Sequence, residues 1–285
     1  MDEHPIDFTS RVRQLADLAR SRQAIIDGEA EPHALPVWLE TIRSAPNAML
    51  RSALFGINRR RQPWHDGSAP VPSPSNVTIV CHPQPLDQYD LDVWIEIIHK
   101  LRKAPAGELV PVSMRSILSV LHRQYGQPQR RSVSASIQRL SLQHVRIEFK
   151  NGERIYDGRM LESVVDARGD SPRIAIHPRM PELWEAGWGG NDPDIRRNLG
   201  RNQMAKWLYG FYVTHPEPLP YKVATLRYLC GSVDGQLFKF RYNLKRALTL
   251  LEENAGWLWK IDEHDRVHLL RPELVDKSPK AGDES

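Results

Sequence analysis

A chain of 285 residues, 40% hydrophobic and 26% charged, has the length of two ordinary globular domains and is too apolar to be wholly disordered. Lys plus Arg stands at 39 against 35 for Asp plus Glu, a formal net charge of +4 that implies no nucleic acid by itself, so the placement of charge has to decide. Cys81 and Cys230 stand far apart without partners at metal-ligand spacing, which excludes a disulfide framework or a zinc site. An acidic amino terminus and the lack of any apolar run near ~18 residues predict a cytosolic protein with no membrane span.

Taken in chain order, residues 11–26 place Val12, Leu15, Ala19 and Ile26 at helical spacing, and Gly28 is the expected stop. With the segment 37–55 they form an expected N-terminal helical extension, residues 1–60. Four prolines, Gly67 and several serines between Gln62 and Ser75 allow neither a continuous helix nor a central strand, so 61–88 reads as a linker or arm. Leu91, Trp94, Ile98 and Leu101 then form one stripe of a helix that Pro105 and Gly107 stop. After an extended LVPV, Ser113 is the expected N-cap of a second helix burying Met114, Ile117, Leu118 and Leu121. A third helix carries Val133, Ile137 and Leu140 inward, with Arg131, Gln138 and Arg139 on or beside its polar face. The period then falls to two through Val145, Ile147 and Phe149. Asn151-Gly152 signals a hairpin, and Leu161 to Val165 and SPRIAIHP offer further strands, before PELW and a Gly-rich GWGGNDPD close a domain over 89–187.

The same order returns over 195–271. A helix carries Leu199, Met204, Trp207, Leu208 and Phe211; an extended PYKV and a helix around TLRYLC ending at Gly231 follow. The longest helix, about 236–253, buries Leu237, Phe240, Leu244, Leu248 and Leu251, and the stretches WLWKI and RVHLL pair around DEHD. The tail 272–285 is polar. Three helices and a β-hairpin, occurring twice, describe an α+β chain of two tandem winged-helix domains, in which each third helix fits the DNA major groove.

Residue types on those third helices agree. Between Gln236 and Leu251 the charged residues are Lys239, Arg241, Lys245 and Arg246, with no acid among them, so a mild overall charge conceals a strongly basic helix. A basic run alone is what any solvated helix face shows; its recurrence in the same position of a repeated unit selects DNA. Tyr242 is placed either to stack or contact phosphate, or to pack against the wing. Lys260 and Arg266 on the second wing, and Arg154 and Arg159 on the first, are candidate phosphate contacts. Trp94 and Trp207 read as core residues, the histidines form no metal pair, and no Walker loop, GxSxG elbow or paired histidines support catalysis. The reading is therefore a non-enzyme without metal or cofactor. Asp90 and Asp92 read as charges favouring a helix start.

PNAMLRSALF at 46–55, DLDVWIEIIHKLRKAP at 90–105 and EPLPYKVATLRYLCGS at 217–232 resemble, in the same order, stretches of the TrfA-type replication initiators of plasmids, over about Pro46 to Leu270. The resemblance implies binding to iteron repeats at an origin, opening of adjacent AT-rich DNA with contacts to the single strands, and recruitment of host DnaA and a DnaB-type helicase. It also implies a monomer-dimer equilibrium in which dimers through the first winged helix are inactive or regulatory. By that likeness 236–251 would read bases and 131–143 would clamp phosphates. The family's sliding-clamp segment, a glutamine followed by leucines and a phenylalanine, is replaced here by AEPHALPVW, so clamp recruitment is either absent or uses a degenerate segment around Leu35 to Trp38. The competing reading is a dimeric winged-helix transcriptional regulator.

Overall fold

The computed structural model describes residues 35–58, 69–82, 86–150, 154–164 and 171–271. The helix expected over 11–26, the Asn151-Gly152 turn and the tail from Pro272 lie outside the described residues, as do residues 61–68 and 83–85 of the expected linker.

Apolar periodicity fixes the first helical group. A short helix α1 (Asn47–Leu50) precedes the long α2 (Gln88–Leu101), which starts at a capping box: the Asp87 carboxylate accepts from the Tyr89 and Asp90 amides, and Asp90 answers the Asp87 amide. Ser113 caps α3 (Met114–Val120) as expected, with Met114, Ile117 and Leu118 buried, whereas Leu121 sits at the C-cap, half-buried. The third helix, α4 (Gln127–Leu142), turns Val133, Ile137 and Leu140 inward. These helices enclose Trp94, which is fully buried, stacks on Trp184 with centroids 5.9 Å apart and donates its indole N–H to the Met160 carbonyl at 3.2 Å.

Around this group the strands depart from the expected plan. β1 (Arg43–Pro46) pairs with a strand formed by the Gly-rich run, described below, and β2 (Phe55–Gly56) pairs in parallel with β5 (Leu86–Asp87). Residues expected to be a linker supply β3 (Ala69–Val71) and β4 (Val77–His82), and β4 lies antiparallel to β7 (His144–Phe149) with Ile79 opposite Ile147 and Cys81 opposite Val145. The reason is legible in β4: Val77, Ile79 and Cys81 alternate inward, while Pro70 lies on the edge strand β3 and Pro72 and Pro74 follow it. β7 also pairs with β8 (Arg154–Arg159), giving the order β3-β4-β7-β8.

A separate three-stranded sheet takes β6 (Val110–Pro111), β9 (Glu162–Val164) and β10 (Arg173–Ala175) in the order β6-β10-β9. After a single helical turn, α5 (Glu182–Glu185), the GWGG segment is the strand β11 (Trp188–Asn191), paired with β1. Its glycines serve close approach: a Cβ on Gly189 would stand 2.9 Å from Leu50 Cδ1 and 3.0 Å from Thr214 Cγ2. The expected end of the first domain is thus a paired strand.

The second group begins with α6 (Pro193–Asn198), capped by Asp192, and α7 (Gln203–Val213), capped by Asn202; Leu199 lies between them. Then come β12 (Tyr221–Lys222), α8 (Val223–Leu229), α9 (Leu237–Ala255), β13 (Leu258–Ile261) and β14 (Arg266–Leu270), the strands ordered β12-β14-β13. Gly256, left-handed at φ 67°, ends α9. The two groups have separate apolar cores, one from Leu35 to Trp184 and one from Leu199 to Leu269. The second stacks Trp207 on Phe211 at 5.0 Å and reaches the first through the Trp207 N–H, which donates to the Ser52 carbonyl.

Leu35 and Trp38, the centre of the degenerate clamp segment, are both buried; the exposed residues there are Val37 and Leu39. No helix among the described residues is long and apolar enough to cross a membrane.

Candidate nucleic-acid interface

The helix α9 divides cleanly. Phe240, Leu244, Ala247, Leu248 and Leu251 face the core, and Phe238, Lys239, Tyr242, Lys245 and Arg246 are exposed on the other side; Leu237 is only half-buried. The Arg246 guanidinium carbon sits 5.9 Å over the Tyr242 ring, an arrangement that braces both side chains on the exposed face.

Arg241 differs from its neighbours. Its Nε donates to Asp265 Oδ1 at 2.9 Å, and that hydrogen bond raises its pKa above the ordinary arginine value. Asp265 occupies the β13–β14 turn with φ 59°, and its carbonyl accepts from the Val223 amide at the start of α8. Arg241 therefore ties α9 to the hairpin turn. Lys260 and Arg266 stand exposed on that hairpin, Arg266 directly opposite Lys222. Asp262 in the same turn is held down to about 2, first by its hydrogen bond with His268 at 2.8 Å.

On α4 the exposed face carries Arg131 and Gln138 among serines and Ala135. Arg139, expected to clamp phosphate, instead makes a bidentate pair with Asp90: Nη2 to Oδ1 at 2.6 Å and Nε to Oδ2 at 3.3 Å, with Ser136 Oγ donating to the same carboxylate at 2.6 Å. Asp90 therefore both caps α2 and binds α4 to it. Arg154 and Arg159 lie on β8, and the side chain of Arg154 is outside the described residues; Arg159 is half-buried. Their sheet contains β3 and β4, whereas the sheet that pairs with the strand before the second helix, as β14 pairs with β12, is β6-β10-β9. By topology the counterpart of the second group's hairpin is β9–β10, not the strands carrying these two arginines.

Between the groups lies a cleft of about 310 Å³ that no local pattern announces. Asp92 lies on its wall, paired with Arg196 Nε at 2.7 Å and Lys206 Nζ at 2.5 Å, while Arg196 Nη2 donates to Gln88 Oε1 at 3.0 Å. Asp92, expected only to favour a helix start, thus holds α2 to α6 and α7. Arg123 and Arg201 line the same cleft and are exposed. No periodicity signals such a meeting, because its members come from loops and helices a hundred residues apart. Cys81 and Cys230 are buried, each thiol pushed up to about 12 by burial, and no cluster among the described residues could hold a metal.

No protein-family model and no curated protein matches the chain. Among solved structures it is similar to selenomethionine derivatives of domains 2 and 3 of RctB, at a TM-score of 0.52 and 15% identity, over 78% of this chain and 94% of that one. A second structure of RctB domains 2–3 matches at a TM-score of 0.50 and 14% identity, over 80% of this chain and 98% of that one. The chain thus shares the mixed helix-and-strand fold of those two domains.

Proposed function

We propose that this chain is a plasmid replication initiator that binds iteron repeats in double-stranded DNA through two winged-helix units, opens adjacent AT-rich DNA and recruits host replication proteins, with no nucleotide chemistry of its own. The observation that carries the reading is the exposed, acid-free cationic face of α9, with Lys239, Lys245 and Arg246 around Tyr242, on a fold shared with domains of the replication initiator RctB. A helix of this kind fits the major groove, and its cations suit base edges and phosphates. The resemblance over 46–55, 90–105 and 217–232 to TrfA-type initiators supports the finer reading: iterons, an origin, DnaA and a DnaB-type helicase.

In this reading Lys245, Arg246 and Lys239 meet the groove, Lys260 and Arg266 meet phosphate from the hairpin, and Arg131 and Gln138 add backbone contacts from α4. Arg139 and Arg241 act through the fold.

The test is binding to repeat-containing origin DNA and to scrambled DNA across a salt series, with wild type and Lys245→Ala/Arg246→Ala. Sequence-selective binding lost in the double variant supports the reading, at a cost of ~1–3 kcal/mol for each base contact or a shallower salt slope for each phosphate contact. Equal binding to both DNAs overturns it. Selective binding without opening of adjacent DNA, host proteins included, favours a transcriptional regulator.

A further inference from the structure

We propose that Phe238 and Tyr242 read thymine, their rings covering the 5-methyl groups that A·T pairs present in the major groove. This rests on the DNA-binding role of α9 and adds to it a chemical specificity. The two aromatics stand one helical turn apart near the N-terminal end of α9, and both point outward, Phe238 66% exposed and Tyr242 63% exposed. The apolar contacts of this helix are made by Phe240, Leu244, Leu248 and Leu251 on the opposite side, so neither exposed ring is needed for the core. Together the two rings make an apolar patch on a solvent face, which an apolar partner would cover.

The surroundings state what kind of partner. Lys239, Lys245 and Arg246 are exposed on the same helix, and no acid stands between Gln236 and Leu251, so the apolar pair sits within a cationic field that suits a polyanion. Double-stranded DNA offers one apolar feature in its major groove, the thymine methyl. The N-terminal residues of the third helix in a helix-turn-helix arrangement are those that reach base edges, and Phe238 and Tyr242 occupy that end. Cations on phosphate and rings on methyls then make one continuous complementary surface.

The experiment uses the full chain and a random-sequence duplex pool. Duplexes enriched by binding are resynthesised with uracil in place of thymine, which removes only the methyl groups, and affinities are compared for wild type, Phe238→Ala, Tyr242→Phe and Phe238→Ala/Tyr242→Ala. Wild type loses about four-fold in affinity for each methyl buried against a ring. The double variant binds thymine and uracil duplexes alike, and Tyr242→Phe keeps the discrimination because the ring makes the contact. Equal wild-type affinity for the two duplexes, with sequence selectivity intact, overturns the thymine contact and leaves the DNA-binding role standing. Enrichment of no sequence at all overturns both. The wild-type comparison needs no altered side chain, so a folding defect in a variant does not blur the result.

Discussion

Arg139 and Asp90 are joined across the α2–α4 interface by a bidentate ion pair, closest at 2.6 Å, in which the carboxylate is only 2% exposed. A cation that periodicity puts beside the polar face of a basic helix is therefore committed to holding that helix in place. Replacing it by alanine leaves a buried carboxylate with the Ser136 hydroxyl and the Asp87 amide. Arg139→Ala should lower stability by roughly 2–4 kcal/mol, less than a fully enclosed pair would cost because Arg139 is about a third exposed. Arg131→Ala, by contrast, should stay within about 0.5 kcal/mol of wild type while weakening DNA binding. Denaturant unfolding and a binding titration on the two variants separate the roles; equal stability in both would place Arg139 outside the packing.

The Arg241–Asp265 bond makes a similar distinction on the second unit. Asp265→Asn keeps a residue type that tolerates φ 59° and removes the charge. Arg241→Ala and Asp265→Asn should each lower stability by under about 1 kcal/mol, the pair being partly exposed, and should weaken DNA binding to a similar degree through a loosened hairpin turn. Their effects should not add in the double variant. Stronger DNA binding by Asp265→Asn would mean instead that Arg241 touches DNA once released.

The link between the groups is the most enclosed ionic contact described. Arg196 is 2% exposed and Asp92 8% exposed, with Lys206 completing the cluster. Arg196→Met should cost about 3–5 kcal/mol, and Asp92→Asn at least as much, since it leaves two cations facing each other. Calorimetry should show one unfolding transition for wild type and two for these variants, as α6 and α7 lose their hold on α2. One transition at an unchanged midpoint would exclude this coupling.

Acid should act through His99. Its Nδ1 accepts the Trp38 indole N–H at 3.0 Å, so the ring proton sits on Nε2, 3.3 Å from the Glu40 carboxylate, and a second proton would have to enter on Nδ1 against the indole N–H. Burial first, then Arg43 and Arg102, lower its pKa from 6.5 to about 4, against the opposing pull of Glu96 and Glu40. The unfolded chain therefore binds the extra proton first. The contribution is complete above pH 6.5 and is lost as pH falls toward about 4, up to about 3 kcal/mol in all. His99→Asn, which keeps an acceptor for Trp38 and does not titrate, should flatten that limb in melting curves taken from pH 7 to pH 4. An unchanged limb would assign it to other groups.

Local residues sufficed for the long helices, but not for 37–55, expected to be helical, where β1 and β2 flank the single helical turn α1. Leu91, Trp94, Ile98 and Leu101 mark α2, Val133, Ile137 and Leu140 mark α4, and the acid-free run 236–251 marks the cationic helix, because hydrophobic burial imposes a period that local residues alone must satisfy. Tertiary structure alone decided which cations remain exposed, since Arg139 and Arg241 look like Arg131 and Lys245 until Asp90 and Asp265 are brought beside them. It also decided that β4 joins β7 and β11 joins β1: an alternating or glycine-rich stretch states which face is buried or how closely a backbone can approach, and the strand that meets it lies far along the chain. Periodicity is a one-body property of a segment, whereas ion pairs, strand partners and the cleft at Asp92 are two-body properties fixed only when the chain closes on itself.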